Sequence, residues 1–181
     1  KKKPKWIIGF SDITVLHAHL YSRIKVASMH APMAAAFNEG ENKYILALQK
    51  ALTGKKAKYD CAAHPFNKAG IAKAELVGGN LSLLVHLIGT PSDIKTKDKL
   101  LFIEDIGEHI YNIDRMLYQL KRSGKLDNLA GLVVGGFTDM HDTERPFGKK
   151  VYKLIKEITN GYDYPVCFNF PVSHNTENYA L

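Results

Sequence analysis

The sequence predicts an α/β protein built on a parallel sheet, and three observations predict it. Apolar runs of strand length recur, such as Leu100-Leu101-Phe102-Ile103 and Leu129 to Phe137. Segments with helical spacing lie between them, the strongest carrying Ile110, Ile113, Met116, Leu117 and Leu120. The two kinds alternate, which is the pattern of crossover connections and not of hairpins. Continuous apolar runs are also what strands covered on both faces require.

In order, Trp6-Ile7-Ile8 reads as a strand, Gly9-Phe10-Ser11-Asp12 as a tight turn, and Ile13, Leu16 and Leu20 as the stripe of a helix. Residues 25 to 30 read as a second short strand, and the small residues from Ala31 to Phe37 as helical. A loop at Asn38-Glu39-Gly40-Glu41 precedes a helix from Tyr44 to Leu52, which Gly54 stops. Lys55 to Asn67 is basic and polar, either a linker or a pair of strands. Ala72 to Val77 reads as a strand, Gly78-Gly79-Asn80 as a sharp turn, and Leu81 to Leu87 as the start of a helix. The strand at 100–103 runs into Glu104-Asp105, and the helix after it ends at Gly124. The strand at 129–137 is interrupted by Gly135-Gly136. Val151, Leu154, Ile155 and Ile158 mark another helix, and Val166 to Phe170 a last strand, followed by Pro171-Val172-Ser173-His174.

Composition narrows the function classes. The chain has 181 residues, enough for one medium domain or parts of two, with 45% hydrophobic and 24% charged residues, as in soluble globular proteins. No run of eighteen apolar residues is present, so no transmembrane helix is expected, and Trp6 to Phe10 is too short for a signal peptide. The net charge is +7, but the Lys and Arg residues are dispersed. Their densest clusters are Lys1-Lys2-Lys3-Pro4-Lys5 and Lys55-Lys56-Ala57-Lys58, and no basic stripe interleaved with aromatics or helix-turn-helix pattern points to nucleic acid. A basic face suits an anionic substrate. Cys61 and Cys167 lack metal-ligand spacing and read as reduced core thiols of a reducing compartment. The chain opens on a strand with no neighbour before it, so the sequence reads as the middle of a longer protein.

Open parallel sheets place ligands at the carboxyl ends of their strands. Ser11, Glu104 and His174 fall at or just beyond such ends. Their chemistry suits a nucleophile, an orienting carboxylate and a base, because a serine hydroxyl needs an imidazole to take its proton. Plainer readings stand beside each: Ser11 as a helix N-cap, Glu104 in competition with Asp105 and Glu108, and His174 as a solvated loop histidine. A metal reading rests on Asp139, His141 and Asp142, while His17 and His19 face different sides of a helix and no His-Glu-x-x-His is present. Gly78-Gly79-Asn80 is either an anion cradle of backbone N–H groups or a plain turn.

Several stretches together resemble the LD-carboxypeptidase family of serine peptidases, which includes muramoyltetrapeptide carboxypeptidases and microcin C immunity peptidases. They are Pro4 to Thr14 with Leu16-His17, Met29-His30-Ala31-Pro32-Met33, Gly78-Gly79-Asn80-Leu81, Gly89-Thr90-Pro91, Leu101 to Glu108 with Tyr111 and Ile113 to Leu117, Gly131-Leu132-Val133 with Gly135, and His174. They run in family order over nearly the whole chain. The resemblance implies the remainder of a Rossmann-like domain over residues 1–55, a linker over 56–70 and a smaller mixed α/β domain over 71–181, with the site between the domains. It implies Ser11 as nucleophile, Glu104 as acid, His174 as base, the backbone N–H of Asp12 in the oxyanion hole, and Gly79 and Asn80 lining the substrate cleft.

The implied reaction is release of terminal D-alanine from a muropeptide tetrapeptide through an acyl-enzyme, in a bacterial cytoplasm. Expected partners are a muropeptide or peptide substrate and, as an assembly, a homodimer; no cofactor, metal, nucleic acid or membrane is expected. The alternatives are an immunity-type peptidase acting on a peptidyl-nucleotide and a silent binding protein of the same fold. The family has His-Gly-Pro where this chain has His30-Ala31-Pro32. The family's long first segment, whose Gly-rich turn supplies a second oxyanion donor, has no counterpart here. Residues 1–181 alone are therefore expected to show low or no activity, which normal turnover by that polypeptide would refute.

Overall fold

A strand, a strained turn and a short helix open the fold, as the apolar run before Gly9 requires. The computed structural model describes residues 5–40 and 42–181. Lys1 to Pro4, the start of the predicted basic cluster and of the first matching stretch, and Glu41 of the predicted loop lie outside the described residues. Strand β1 (Ile8–Gly9) leads through a 3₁₀ turn (Ser11–Ile13) into α1 (Thr14–His19). β2 (Met29–His30) lies parallel to β1, with Ile8 opposite Met29 and Gly9 opposite His30. The predicted strand at 25–30 keeps only its last two residues, because a π-helical turn over Leu20–Ile24 carries the chain into Lys25 at φ +52°. The small residues after Pro32 form a 3₁₀ helix (Ala34–Glu39). Helix α2 (Lys43–Leu52) begins on Asn42, whose Oδ1 accepts from the N–H groups of Tyr44 and Ile45.

The predicted α/β class holds. The larger sheet is parallel, in the order β3 (Leu76–Asn80), β4 (Leu100–Ile106), β5 (Gly131–Thr138) and β6 (Val166–Cys167). Its crossovers are α3 (Leu81–His86), α4 (Ile110–Arg122) and α5 (Val151–Thr159), which pack side by side. α4 turns Ile113, Met116, Leu117 and Leu120 onto the sheet, the stripe that the spacing predicts. They meet Leu101, Ile103, Leu132, Val134 and Ile155 in one apolar core. Burying each such side chain contributes about 1.5–3 kcal/mol. A smaller cluster of Met29, Ala31, Leu48 and Ala180 holds β2 to α2 and to the tail. No helix of the described residues is long and apolar enough to cross a membrane.

Three further readings of the sequence change. Gly78, Gly79 and Asn80 are the end of strand β3 and not a turn after a strand at 72–77. The glycines sit at φ +139° and +142°, and a Cβ on Gly78 would lie 1.9 Å from the Phe102 carbonyl oxygen, so the close approach of β3 to β4 needs glycine. The buried face of α1 is Thr14, His17 and Ala18, while Leu16 is 50% exposed. The 3₁₀ entry and π exit shift the phase of the predicted stripe. β6 stops at Cys167 and not at Phe170, because Asn169 turns the chain at φ +58°.

Candidate active site

Ser11 stands on the turn between β1 and α1 at φ +58°, a conformation that costs a non-glycine residue of order 1–3 kcal/mol. Phe10 before it is extended, and Asp12 after it is exposed in the first turn, where backbone N–H groups have no intrahelical acceptor. A Cβ on Gly9 would lie 2.7 Å from Ile13 Cγ1, so the tightness of the turn requires a glycine two residues before the serine. Ser11 is not the N-cap that the plainer reading expects: it is the first residue of the 3₁₀ turn, and Phe10 holds the cap position.

His17, set aside as a ligand from its spacing, braces this turn. Its Nε2 lies 2.9 Å from the Gly9 carbonyl, which can only accept, so Nε2 carries the proton. Nδ1, 2.8 Å from Ser28 Oγ, then accepts from that hydroxyl. Burial holds the His17 pKa below its ordinary value, against the opposing pull of the Gly9 hydrogen bond, which keeps the ring neutral. His30 packs behind the turn, its ring 5.0 Å from that of Phe102 and 6.2 Å from that of Phe10. Burial, with the charges of His17 and His174, lowers its pKa to about 3.

Glu104 is fully buried near the carboxyl end of β4. The β4–β5 register shifts between Ile103 and Asp105, so that Glu104 faces two residues of β5, Gly135 and Gly136. Its Oε2 lies 2.8 Å from His174 Nδ1, an ion-pair distance. Glu104 Oε1 and His174 Nε2 are buried and have no hydrogen-bond partner among the described residues. Burial alone pulls the His174 pKa down. The close contact and charge of Glu104, with the charges of Asp105 and Asp12, outweigh it, and the pKa lies above the ordinary value.

Asp105, the sequence rival of Glu104, points elsewhere. It accepts from Asn80 Nδ2 at 2.8 Å and from the N–H groups of Ser82 at 3.0 Å and Ile106 at 2.9 Å. Burial raises its pKa to about 6 despite those bonds, with the charge of Glu104 adding to the rise. Glu108 accepts from Asn112 Nδ2 at 3.2 Å.

Gly135 and Gly136, read from the sequence as a break, lie within an unbroken β5 and pack against the loop that carries His174. A Cβ on Gly135 would lie 2.5 Å from the Val172 carbonyl oxygen, and one on Gly136 2.4 Å from Ser173 Cβ. The Gly136 N–H donates to Val172 O at 2.9 Å, which locks the loop to the strand. The His174 ring meets the Phe10 ring edge-on at 5.0 Å, so the residue before Ser11 packs against the Glu104–His174 pair. A cleft of about 700 Å³ opens beside them, lined by Phe10, Met33, Tyr44, His174, Asn175 and Asn178.

Gly79 and Asn80 join the two sheets. A Cβ on Gly79 would lie 2.4 Å from Thr14 Oγ1, and that hydroxyl accepts from the Asn80 N–H at 3.0 Å. Asn80 Oδ1 accepts from Leu83 N at 3.2 Å, capping α3, and Asn80 is opposite Glu104 in register. Asn80 is buried with its side chain engaged inside the protein. Asp142 of the rival metal group closes its own loop by accepting from the N–H groups of Thr143 and Phe147. Among the described residues no three His, Cys, Asp or Glu are placed to hold a metal ion. The sequence carried no signal for Phe10 or Thr14 as site residues, because packing across elements defines their roles.

The fold and the site define an α/β protein with a strained serine turn beside a buried carboxylate–imidazole pair. The profile of the LD-carboxypeptidase C-terminal domain matches residues 73–181 and that of the N-terminal domain residues 1–31. The chain belongs to the LD-carboxypeptidase family. It is 34% identical to a probable murein peptide carboxypeptidase of Bacillus subtilis, over 100% of this chain and 58% of that protein. It is 26% identical to the microcin C7 self-immunity protein MccF of Escherichia coli, over 94% of this chain and 58% of that protein. The crystal structure of muramoyltetrapeptide carboxypeptidase from Oxalobacter formigenes superposes with a TM-score of 0.86 at 28% identity, covering 98% of this chain and 61% of the other. The chain thus spans about three-fifths of the length of these relatives.

Proposed function

We propose that the protein is a serine peptidase of LD-carboxypeptidase type that releases terminal D-alanine from muropeptide tetrapeptides, a cytoplasmic step of peptidoglycan recycling. The observation that carries this reading is the buried Glu104–His174 contact beside the strained Ser11 turn, in a chain of this family. In this reading residues 1–55 supply the nucleophile, 56–70 connect, and 71–181 supply the acid and the base.

Glu104 fixes the His174 tautomer with its proton on Nδ1, which leaves Nε2 as the base. Nε2 takes the Ser11 proton as Oγ attacks the scissile carbonyl. The backbone N–H of Asp12 donates to the oxyanion. The imidazolium, stabilised by Glu104, returns the proton to the departing amine of D-alanine. Water, deprotonated by the same nitrogen, then frees the acyl group from Ser11. Gly79 and Asn80 serve the cleft by fixing β3 against α1 beside Glu104.

The test is product analysis. The full-length protein, incubated with a disaccharide-tetrapeptide, releases one alanine that mass spectrometry detects. No release, with cleavage of an acyl-sulfamoyl adenylate instead, moves the reading to the immunity-type activity. No cleavage of either leaves a silent binding protein.

A further inference from the structure

The segment between α2 and β3 has no regular element, yet it is tied along the free edge of the sheet. Tyr59 Oη donates to the Ala180 carbonyl at 2.7 Å. The His64 ring stacks on that of Phe168 at 5.5 Å, and Asn67 Oδ1 accepts from Phe168 N at 2.7 Å. Lys68 and Val166 exchange two backbone hydrogen bonds, at 3.0 and 3.1 Å, in an antiparallel bridge. These contacts make the segment a strap on β6. Within it, Cys61 Sγ lies 3.2 Å from Cys167 Sγ at the end of β6. Both thiols are free and half-buried, and they are 106 positions apart in sequence. From spacing the two cysteines read as reduced core thiols, with no sign that they meet.

A disulfide needs two cysteines whose side chains already point at one another. Direct contact between the two sulfur atoms meets that requirement, and the strap's hydrogen bonds hold it without a covalent link. We propose that Cys61 and Cys167 are a thiol–disulfide site, at which a small disulfide such as oxidised glutathione joins the strap to β6. This inference is independent of the peptidase reading.

Burial pushes the Cys167 thiol up to about 12, with the hydrogen bond and charge of Cys61 adding to it, so Cys167 stays protonated at neutral pH. In the proposed exchange the Cys61 sulfur, on the strap, attacks first. The Cys61 thiolate attacks one sulfur of oxidised glutathione, the glutathione S–S bond breaks, and one glutathione thiolate leaves and takes up a proton. Cys167 then gives its proton to solvent, and its sulfur displaces the second glutathione from the mixed disulfide. Two protein thiols and one glutathione disulfide become one protein disulfide and two glutathione thiols. Two electrons pass from the cysteines to glutathione. A cross-link between residues so far apart in sequence restricts the unfolded chain and raises Tm.

The test uses the full-length protein, equilibrated with oxidised glutathione or with dithiothreitol and digested without reduction. The expected result is one cross-linked species joining the Cys61 and Cys167 peptides, lost on adding dithiothreitol, with Tm several degrees above that of the reduced protein. Cys61→Ser and Cys167→Ser each lose the cross-link and the gain in Tm. Recovery of the two cysteines as separate glutathione adducts, or as free thiols, overturns the proposal. So does an equal gain in Tm in Cys61→Ser. The peptide map requires no variant, so a substitution that fails to fold leaves the test intact.

Discussion

At the scale of single residues, the site turns on what Glu104 does to His174. A base must be neutral to accept a proton, and Glu104 favours the charged imidazole. The acid limb of kcat/KM is therefore expected at a pH above the ordinary histidine value of about 6.5. Glu104→Gln removes the charge, so the limb moves to lower pH while kcat falls by about 10²–10⁴-fold. A pH profile of both proteins checks this, and an unmoved limb contradicts it. The linkage to stability has the opposite sense. Because the folded pKa is raised, the pair's contribution is complete below the unfolded pKa and is lost as pH rises through the folded one. The placing of Ser11 and Glu104 near the carboxyl ends of strands was legible in the sequence, because apolar runs stop just before each. Position alone leaves Glu104 in competition with Asp105 and Glu108, and the family resemblance favours Glu104. In the structure they separate because Asp105 is engaged by Asn80 and α3.

At the scale of elements, glycines decide where side chains meet. Gly136→Val puts a Cβ only 2.4 Å from Ser173 Cβ, so the His174 loop is expected to shift and activity to fall, while far-UV circular dichroism stays unchanged. Unaltered kcat in a folded Gly136→Val protein counts against this account of β5. Helix α4 illustrates the opposite case, an element fixed by bulk burial. Leu117→Ala is expected to cost about 2–5 kcal/mol in denaturant unfolding without touching the pH profile. The stripe of α4 could be read from spacing because thirteen residues sustain it. The stripe of α1 could not, because a six-residue helix between a 3₁₀ and a π turn has no stable phase. The Gly78-Gly79 strand read as a turn because glycine signals a turn and close approach alike.

At the scale of the whole molecule, the two sheets are fastened where α1 crosses β3. Thr14 is buried there, and its hydroxyl accepts the Asn80 N–H. Tyr21 Oη donates to Glu75 Oε2 at 2.8 Å, and Ser22 Oγ donates to the Ser92 carbonyl at 3.2 Å, further along the same seam. Thr14→Val keeps the shape and strands a buried donor, a loss of about 1–3 kcal/mol. Because that seam sets the serine turn beside the Glu104–His174 pair, the variant is expected to lower kcat as well as Tm. A loss of Tm with kcat intact separates the seam from the site. None of this seam was legible from the sequence, since it joins residues far apart in the chain whose types are ordinary on surfaces.

The central claim is that Ser11, activated by His174 and Glu104, becomes acylated during turnover. The most direct measurement is intact-mass spectrometry of the full-length protein, quenched within the first turnovers on a disaccharide-tetrapeptide, beside Ser11→Ala. The account predicts a transient adduct of substrate minus alanine on the wild-type protein, mapped to the Ser11 peptide, and no adduct and no released alanine with Ser11→Ala. Alanine released by Ser11→Ala at the wild-type rate would contradict it.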